Sequence, residues 1–194
     1  MNKTVLLFFT ALTFLSAETL SQTTSDVTSN SVNYVGDNTM GELIIAGTST
    51  LHDWESDVTE FSIKSTRDGN IISAELNVVV NSIKSGRPGM DGNTFRAMNE
   101  SKYPNIIFSA KDLAIEDNQR INGKGSLSIA GVTKSIPILF NVVSWTKGTI
   151  TVTGEVRINM RDYGIEPPVA LFGTVRTGEV IIIKVNTTLK QINN

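Results

Sequence analysis

The histidine of this 194-residue chain, His52, stands among residues that could support nucleophilic catalysis. Asp53 follows it directly, and Ser49 precedes it by three positions. A Ser-His-Asp triad needs the acid to orient the imidazole and the serine to lie on its other side. Adjacent residues of an extended chain point to opposite faces, so Asp53 is poorly placed for that role. Two interpretations stay open: a polar turn with a structural histidine, or a site where His52 and Trp54 face a ligand.

Acidic side chains raise a second catalytic hypothesis. Asp162 and Glu166 share one segment, and Asp53, Glu55 and Asp57 share another. Glycosidases need two carboxylates at a defined separation across a cleft, which sequence spacing does not fix. Acidic residues in loops are usually solvated, so neither group indicates an enzyme by itself. We therefore expect a protein that is not an enzyme and has no catalytic residues.

The amino-acid composition limits which cofactors and partners the chain could have. The absence of cysteine excludes disulfides, thiolate metal ligands and cysteine nucleophiles. Zinc sites favour Cys and His, so one histidine leaves such a site without ligands. We expect neither a metal nor a cofactor. The formal net charge is -2 and the basic residues are scattered, whereas nucleic-acid-binding proteins usually present a basic face. Nucleic acid is therefore not an expected partner.

Three arginines lie in or near the late strands: Arg157, Arg161 and Arg176. A guanidinium group can bind carboxylate or phosphate through two parallel hydrogen bonds. One of them could therefore meet an anionic head group at a barrel mouth. Solvation at the surface is the alternative for each.

The N-terminal region is typical of an exported protein. Residues 1–17 are predicted to be a signal peptide, with Lys3, an apolar core over residues 5–15 and the small residues Ser16 and Ala17. An uncleaved anchor is the alternative. No apolar run is long enough for a stable membrane span, so we expect a periplasmic or secreted protein. The Ser- and Thr-rich residues 18–40 predict a flexible lead-in, and residues 41–191 the folded domain.

From residue 42 onward most of the chain alternates apolar and polar residues, as β-strands with one buried face do. The pattern is clearest over residues 72–80 and 150–160. A shift of the apolar phase between Ala110 and Leu113 predicts a bulge or a bend. Eight strands without strand-helix alternation predict an all-β antiparallel fold. A closed barrel leaves no exposed edges, so an eight-stranded barrel is favoured over a two-sheet sandwich.

One stretch breaks the alternation and predicts a short helix around residues 91–100. Asp91 or Asn93 is expected to cap its start, and Pro104 to stop it. A lone helix in a β-protein is expected to plug a barrel end or flank the mouth of a cavity. Its apolar face combines residues at helical spacing: Met90, Thr94, Phe95 and Met98.

The inward faces of the strands carry branched, aromatic and Met side chains, with several glycines over residues 121–131. Those glycines predict either a sharp bend or a closely packed neighbour. A barrel of eight strands is either filled by side chains or able to hold one small ligand. The sequence does not distinguish a filled interior from one that holds a ligand. A cavity, if present, would favour an apolar ligand.

Three stretches together resemble the YceI-like family. Residues 103–108, Tyr-Pro-Asn-Ile-Ile-Phe, resemble its Tyr-Pro-x-Ile-x-Phe signature. Residues 125–134 resemble its Gly-x-Leu-x-Ile-x-Gly-Val-Thr-Lys hairpin, and residues 159–168 resemble its late loop. The likeness runs in order from about residue 42 to about residue 190.

This resemblance implies an extended, lipocalin-like antiparallel barrel that is exported and binds a long polyisoprenoid in its apolar interior. The family is associated with isoprenoid carriage and with stress responses to alkaline or osmotic conditions. A homodimer is a further assembly to consider. The side chains that the resemblance implies as tail contacts are Phe95, Met98, Ile106, Phe108, Phe140, Tyr163, Leu171 and Phe172.

The chain departs from the family at the start of the domain, where members commonly carry Tyr-x-Ile-Asp-x-x-His-Ser. Residues 47–54 read Gly-Thr-Ser-Thr-Leu-His-Asp-Trp here, a different subtype whose ligand could be shorter, different or absent. The leading hypothesis is a non-enzymatic exported carrier of an isoprenoid or lipid-like small molecule, with His52 and Trp54 among its contacts. The alternative is a structural or interaction protein with a filled core that acts through residues 52–54 or the loop 161–178.

Overall fold

Residues 31–193 are described by the structure, a computed structural model, and they fold as antiparallel β-sheet with one α-helix. The helix α1 spans Pro88–Ala97, and 3-10 turns span Val80–Ser82, Met160–Tyr163 and Leu171–Gly173. None of these helical segments has the length and apolar character needed to span a membrane. The strands are β1 (Val32–Asp37), β2 (Gly41–Ser49), β3 (Trp54–Val58), β4 (Phe61–Asp68), β5 (Ile71–Val79), β6 (Ile83–Lys84), β7 (Asn105–Ala114), β8 (Arg120–Ile129), β9 (Val132–Thr146), β10 (Thr149–Asn159), β11 (Val169–Ala170) and β12 (Val175–Ile192).

The sheet closes on itself because β12 has hydrogen-bonded neighbours along both edges. β10 pairs along one edge, and β2 and β1 pair in succession along the other. The pairings lead from β1 through β4, β5, β7, β8, β9, β10 and β12 back to β1, and all are antiparallel. Eight strands therefore form a closed barrel, which confirms the predicted fold class over the sandwich.

The first strand lies inside the segment predicted to be a flexible lead-in. β1 pairs with β4 from Val32↔Arg67 to Asp37↔Ser62, and its other edge pairs with β12. Its backbone groups are needed to close the barrel, so the folded domain begins by Val32 and not at residue 41. Residues 1–30, with the predicted signal peptide and most of the lead-in, lie outside the described residues.

Side chains alternate between the interior and the solvent, as the period-two pattern predicted. Along β4 every second side chain is buried, from Phe61 to Ser65. The phase shift in β7 is a bulge, because Ala110 and Leu113 face two residues of β5 that are only two positions apart. Asp112, the residue before Leu113, takes a left-handed φ of 51°. The predicted bulge is therefore confirmed.

Glycines make room for aromatic rings in the half of the barrel away from α1, which we call the lower half. A Cβ built on Gly125 would lie 2.2 Å from Cε2 of Phe108, and one on Gly154 would lie 2.2 Å from Cδ1 of Phe140. Atoms in a packed interior do not approach this closely, so each ring depends on its glycine. Of the two roles predicted for the glycines, close packing of a neighbour is the one observed at Gly125.

Helix α1 begins earlier than predicted, at Pro88. Proline suits a first helical position because the N–H that it lacks would have no intrahelical partner there. Arg87 is the N-cap residue, and its side chain makes no capping bond. The predicted caps are therefore wrong. Asp91 lies inside the helix and its Oδ1 instead accepts hydrogen bonds from the backbone N–H (2.8 Å) and the hydroxyl (2.5 Å) of Ser85.

The helix also ends earlier than the predicted stop at Pro104. Its last residue is Ala97, and Met98 is the C-cap. Asn99 follows with a left-handed φ of 50°, a conformation that commonly ends helices. The whole element is therefore displaced by three residues toward the N-terminus from the predicted range 91–100.

Asp91→Ala is expected to lower the free energy of unfolding by about 1 kcal/mol, because two hydrogen bonds from Ser85 to one carboxylate oxygen are lost. The bond from the Ser85 hydroxyl lowers the pKa of Asp91 below its ordinary value. This contribution is present above the pKa of an unfolded aspartate, about 3.9, and is lost as the pH falls through the lower folded-state pKa.

Urea unfolding of the wild type and of Asp91→Ala between pH 2 and pH 6 measures this dependence. The difference in stability between the two proteins should shrink toward the acid end. The control is Asp117→Ala, the same change in an exposed turn. A difference that stays constant over the whole range contradicts the assignment.

Candidate functional site

A cavity of about 680 Å³ lies between α1 and the upper half of the barrel. Its cover is formed by residues 86–90, by the helix side chains Asn93, Thr94 and Ala97, and by the C-cap residue Met98. Its wall is formed by Ile45, Ser49, Leu51, His52, Trp54, Ser56, Ile83, Ile129, Ile158, Met160, Tyr163, Ile165, Pro168, Val169, Val175, Thr177 and Ile181. We call this space the upper cavity.

The deep wall of the upper cavity is aliphatic because the period-two phase of four strands turns isoleucine inward. Ile45 of β2, Ile129 of β8, Ile158 of β10 and Ile181 of β12 are all buried. β-branched side chains are favoured in strands and pack well on a pleated surface. The same residues that favour the strands therefore provide an apolar lining.

A smaller cavity of about 100 Å³ lies in the lower half, lined by apolar residues and Thr187. A band of side chains, here called the partition, lines neither cavity. Each of its members lies two positions along its strand from a residue that lines one of them. The partition consists of Leu43, Phe61, Val78, Ile106, Leu127, Val156 and Ile183.

The mouth of the upper cavity is shaped by a turn built on Ser49. The Ser49 hydroxyl donates to the backbone carbonyl of His52 at 2.7 Å and accepts from the N–H groups of Leu51 and His52 at 3.2 Å each. The N–H of Thr50 donates to the carbonyl of Arg176 at 3.0 Å. These bonds fix residues 49–52 against β12.

His52 is held between a carbonyl oxygen and a guanidinium group. Its Nδ1 lies 2.7 Å from the carbonyl oxygen of Asp53, and its Nε2 lies 3.0 Å from Nη1 of Arg87. A carbonyl can only accept and a guanidinium can only donate. Nδ1 therefore carries the proton, Nε2 accepts from Arg87, and the imidazole in this arrangement is neutral.

The triad considered from the sequence is not assembled. The Ser49 hydroxyl donates its hydrogen bond to the backbone carbonyl of His52 and not to an imidazole nitrogen. Asp53 contacts the imidazole through its backbone carbonyl and not through its carboxylate. A Ser-His-Asp triad needs the serine hydroxyl to face the imidazole nitrogen. His52 has a structural hydrogen bond, as the polar-turn interpretation predicted. It also lines the cavity with Trp54, and contact of the two side chains with a ligand stays a prediction.

Two of the acidic residues considered as catalytic candidates, Glu55 and Glu166, lie in surface ion pairs. Arg161 pairs with Glu166 at 2.8 Å and with Glu179 at 2.6 Å, and Lys184 pairs with Glu55 at 2.6 Å. Exposed pairs of this kind contribute little to stability. Within residues 31–193 no group of three or more acidic or histidine side chains is arranged to hold a metal ion.

Tyr163 closes the cavity wall beside the 3-10 turn Met160–Tyr163 and is 3% exposed. Burial raises its pKa, and the charge of Asp162 adds to the shift. The hydroxyl is buried and has no hydrogen-bond partner among the described residues. Tyr163 is therefore a neutral part of the wall at physiological pH.

Of the predicted contact residues, four line the upper cavity: His52, Trp54, Met98 and Tyr163. Phe108 and Phe140 line the lower cavity instead, and Ile106 belongs to the partition. The strands run the length of the barrel, so residues on one inward face are divided between its two halves. Sequence alternation gives the face of a strand but not the depth.

Two predicted contacts, Phe95 and Phe172, are placed elsewhere, and the side chain of a third, Leu171, lies outside what the structure describes. Phe95 packs against the core without lining either cavity, and Nζ of Lys84 lies 5.0 Å from its ring centroid. Leu171 belongs to the 3-10 turn Leu171–Gly173. Phe172 is fully exposed with a φ of 54°. The inward helix position next to Met98 is Ala97, not Phe95.

Sequence reasoning missed Arg87 at the mouth. It treated other arginines as candidates for an anionic head group, and Arg161 proves to be paired with carboxylates. Arg87 and His52 are 35 positions apart, and no local pattern joins them. Pro88 is the available signal, because proline favours the first helical position and makes the residue before it, Arg87, the N-cap.

The family whose sequence profile matches this chain is described as YceI-like domain, and the match covers residues 19–189. No curated protein matches the chain significantly.

Solved structures with the same fold include three proteins of low sequence identity. BcnA of Burkholderia cenocepacia is 17% identical with a TM-score of 0.68, covering 79% of this chain and 98% of its own. A polyisoprenoid binding domain from Saccharophagus degradans, implicated in plant cell wall breakdown, is 13% identical with a TM-score of 0.65, covering 82% and 98%. The YCEI protein of Campylobacter jejuni is 18% identical with a TM-score of 0.53, covering 63% and 73%.

Gly47→Ala is expected to destabilise the protein by about 1–3 kcal/mol, because overpacking a filled site forces neighbouring groups to shift. A Cβ at Gly47 would lie 2.3 Å from Cζ2 of Trp54, whose Nε1 donates to the Thr48 carbonyl at 3.1 Å. The displaced indole should also change its fluorescence emission. Urea unfolding and emission spectra in a Trp145→Phe background measure both effects.

The matched control is Gly92→Ala in α1, where the added Cβ meets only Nη1 of Arg96 at 3.6 Å. Alanine favours a helix over glycine by about 1 kcal/mol, so this variant should gain stability. If Gly47→Ala unfolds and fluoresces as the wild type does, Trp54 is not held against β2 as described.

Proposed function

Since the chain belongs to the family of YceI-like domains, we propose that it binds and carries a long apolar isoprenoid or lipid-like molecule in the upper cavity. The single observation that carries this proposal is a preformed space of about 680 Å³ with an aliphatic deep wall. Ligand pockets commonly have volumes of about 300–1,000 Å³ and mainly apolar linings. Burial of an apolar tail in such a space is favoured by the hydrophobic effect.

The ligand class is suggested by one relative. The Saccharophagus degradans structure is that of a polyisoprenoid binding domain, and at 13% identity it supports a shared fold. For this chain we propose the same broad class of ligand, an apolar chain long enough to fill the upper cavity. We also propose that the protein is exported to the periplasm or secreted, that it performs no catalysis, and that it does not bind nucleic acid. The homodimer and the role in stress responses remain predictions.

The alternative is an interaction protein with a filled core. The partition and the aromatic rings of the lower half support a largely filled interior there. The upper cavity argues against a filled core throughout. Exposed apolar residues at the mouth, Leu51 and Val169, could contact a partner protein. They also continue the lining of the cavity, so ligand carriage accounts for more of the structure.

Geranylgeraniol, a neutral isoprenoid alcohol, is expected to bind and to shift the emission of Trp54, because the indole lines the cavity. Trp145, the other tryptophan, is stacked on Arg67 with 3.8 Å between the guanidinium carbon and the ring centroid. It is replaced by phenylalanine so that only Trp54 reports. In that background Ala97→Phe should raise the dissociation constant at least about tenfold by filling the cavity.

The matched control is Arg96→Phe, which adds the same ring at the adjacent, exposed helix position. Its dissociation constant should stay within about twofold of the background protein, since Arg96 is exposed and lines neither cavity, and such surface changes are nearly neutral. Thermal unfolding verifies that all variants are folded. Equal binding by Ala97→Phe and Arg96→Phe would rule out the upper cavity as the binding site.

The protein purified without detergent from its own host should retain an apolar molecule. Native mass spectrometry should then give a mass above that of the polypeptide, and solvent extraction should release a species of isoprenoid or lipid mass. A clean apo mass, together with no binding of geranylgeraniol, would contradict carriage and favour the interaction protein.

A further inference from the structure

We propose that the carried molecule is an amphiphile with an oxyanion head group, a carboxylate or a phosphate, and that Arg87 binds this head group at the mouth of the upper cavity. The inference rests on the proposed function and adds the chemistry of the polar end of the ligand. The observations that carry it are the position of Arg87, its lack of a carboxylate partner among the described residues, and its hydrogen bond to a neutral imidazole.

Arg87 stands where the head of a bound amphiphile would emerge. It lines the upper cavity as the N-cap residue of α1, and its side chain is exposed. An apolar tail packed against the deep isoleucines leaves its polar end at the mouth, where water can solvate it. The guanidinium group lies at this boundary between apolar wall and solvent.

The charge of Arg87 is not matched within the described residues. Arg161 has two carboxylate partners and Lys184 has one, whereas Arg87 takes part in no ion pair across residues 31–193. The carboxylate of Asp91, four positions further along, is occupied by Ser85. The mouth therefore carries a positive charge whose counterion is not supplied by the folded domain.

His52 orients Arg87 without neutralising it. One N–H of Nη1 points to Nε2 of His52 at 3.0 Å, and His52 is itself fixed by the Asp53 carbonyl at 2.7 Å. A carboxylate in the place of the imidazole would hold Arg87 equally well and also cancel its charge. The neutral acceptor leaves most of the five guanidinium N–H donors free for another group.

An oxyanion is the group that fits these donors. Guanidinium binds carboxylate or phosphate through parallel hydrogen bonds, which are shorter and stronger than bonds between neutral groups. A neutral alcohol would gain only one ordinary hydrogen bond. An acidic amphiphile should therefore bind more tightly than an alcohol with the same tail, and Arg87 should account for the difference.

Two pairs of probes with matched tails test this: hexadecanoic acid against hexadecanol, and geranylgeranyl phosphate against geranylgeraniol. Titration of Trp54 emission in the Trp145→Phe background at pH 7.5 gives the four dissociation constants. We expect the anion of at least one pair to bind about tenfold more tightly than its alcohol. The pair with the larger preference identifies carboxylate or phosphate as the better head group. Added salt should reduce the preference, because the site is exposed.

Arg87→Gln should abolish the preference, because it weakens the binding of the anions far more than that of the alcohols, which lose at most one ordinary hydrogen bond. Arg87→Lys should retain part of it, since lysine keeps the charge but not the fork. The matched control is Arg120→Gln, which removes the same charge from an exposed position that lines neither cavity and should keep the full preference.

Three results would overturn the proposal. If each anion binds no better than its alcohol, Arg87 does not select the head group, although carriage of apolar molecules stands. If the preference survives in Arg87→Gln, another cation is responsible. If no probe of either kind binds, the proposed function fails together with this inference.

Discussion

Hydrogen bonding of β12 along both edges is the constraint on which this structure depends. A strand edge that faces water leaves a row of unpaired N–H and C=O groups, and closure removes that row. Because β10 occupies one edge of β12 and β1 and β2 share the other, the sheet must enclose an interior. Eight strands give an interior of intermediate width, which can be filled or can hold one ligand. The identity of the inward side chains then decides between the two.

The two halves of the barrel differ in whether the interior is filled by side chains. In the lower half, glycines on β8 and β10 let Phe108 and Phe140 lie against the backbone, and the rings leave only about 100 Å³. In the upper half, buried isoleucines of β2, β8, β10 and β12 face inward, and a space of about 680 Å³ stays open. α1 covers this half with small or flexible side chains such as Ala97 and Met98. The result is one packed half and one hollow half under a short helix.

The sequence predicted those features that depend on local alternation. Period two predicted the strands, their antiparallel class and the bulge near Leu113, because each follows from neighbours along one chain segment. Features that depend on depth or on distant pairing were not accessible. The inward face of β7 could be predicted, but its depth could not. Phe108 lines the lower cavity, and Ile106 belongs to the partition. The bond between His52 and Arg87 joins two segments whose proximity is a property of the closed barrel.

The partition and the mouth of the upper cavity are formed by different parts of the chain. Its members come from seven different strands, while the mouth residues His52 and Arg87 come from the connections before β3 and before α1. A single large-to-small exchange in the partition would extend the hollow space toward the other half at the cost of one cavity-forming mutation. Under the proposed function, the partition would therefore limit the length of the bound tail while Arg87 selects the head group, and a change in one would leave the other in place.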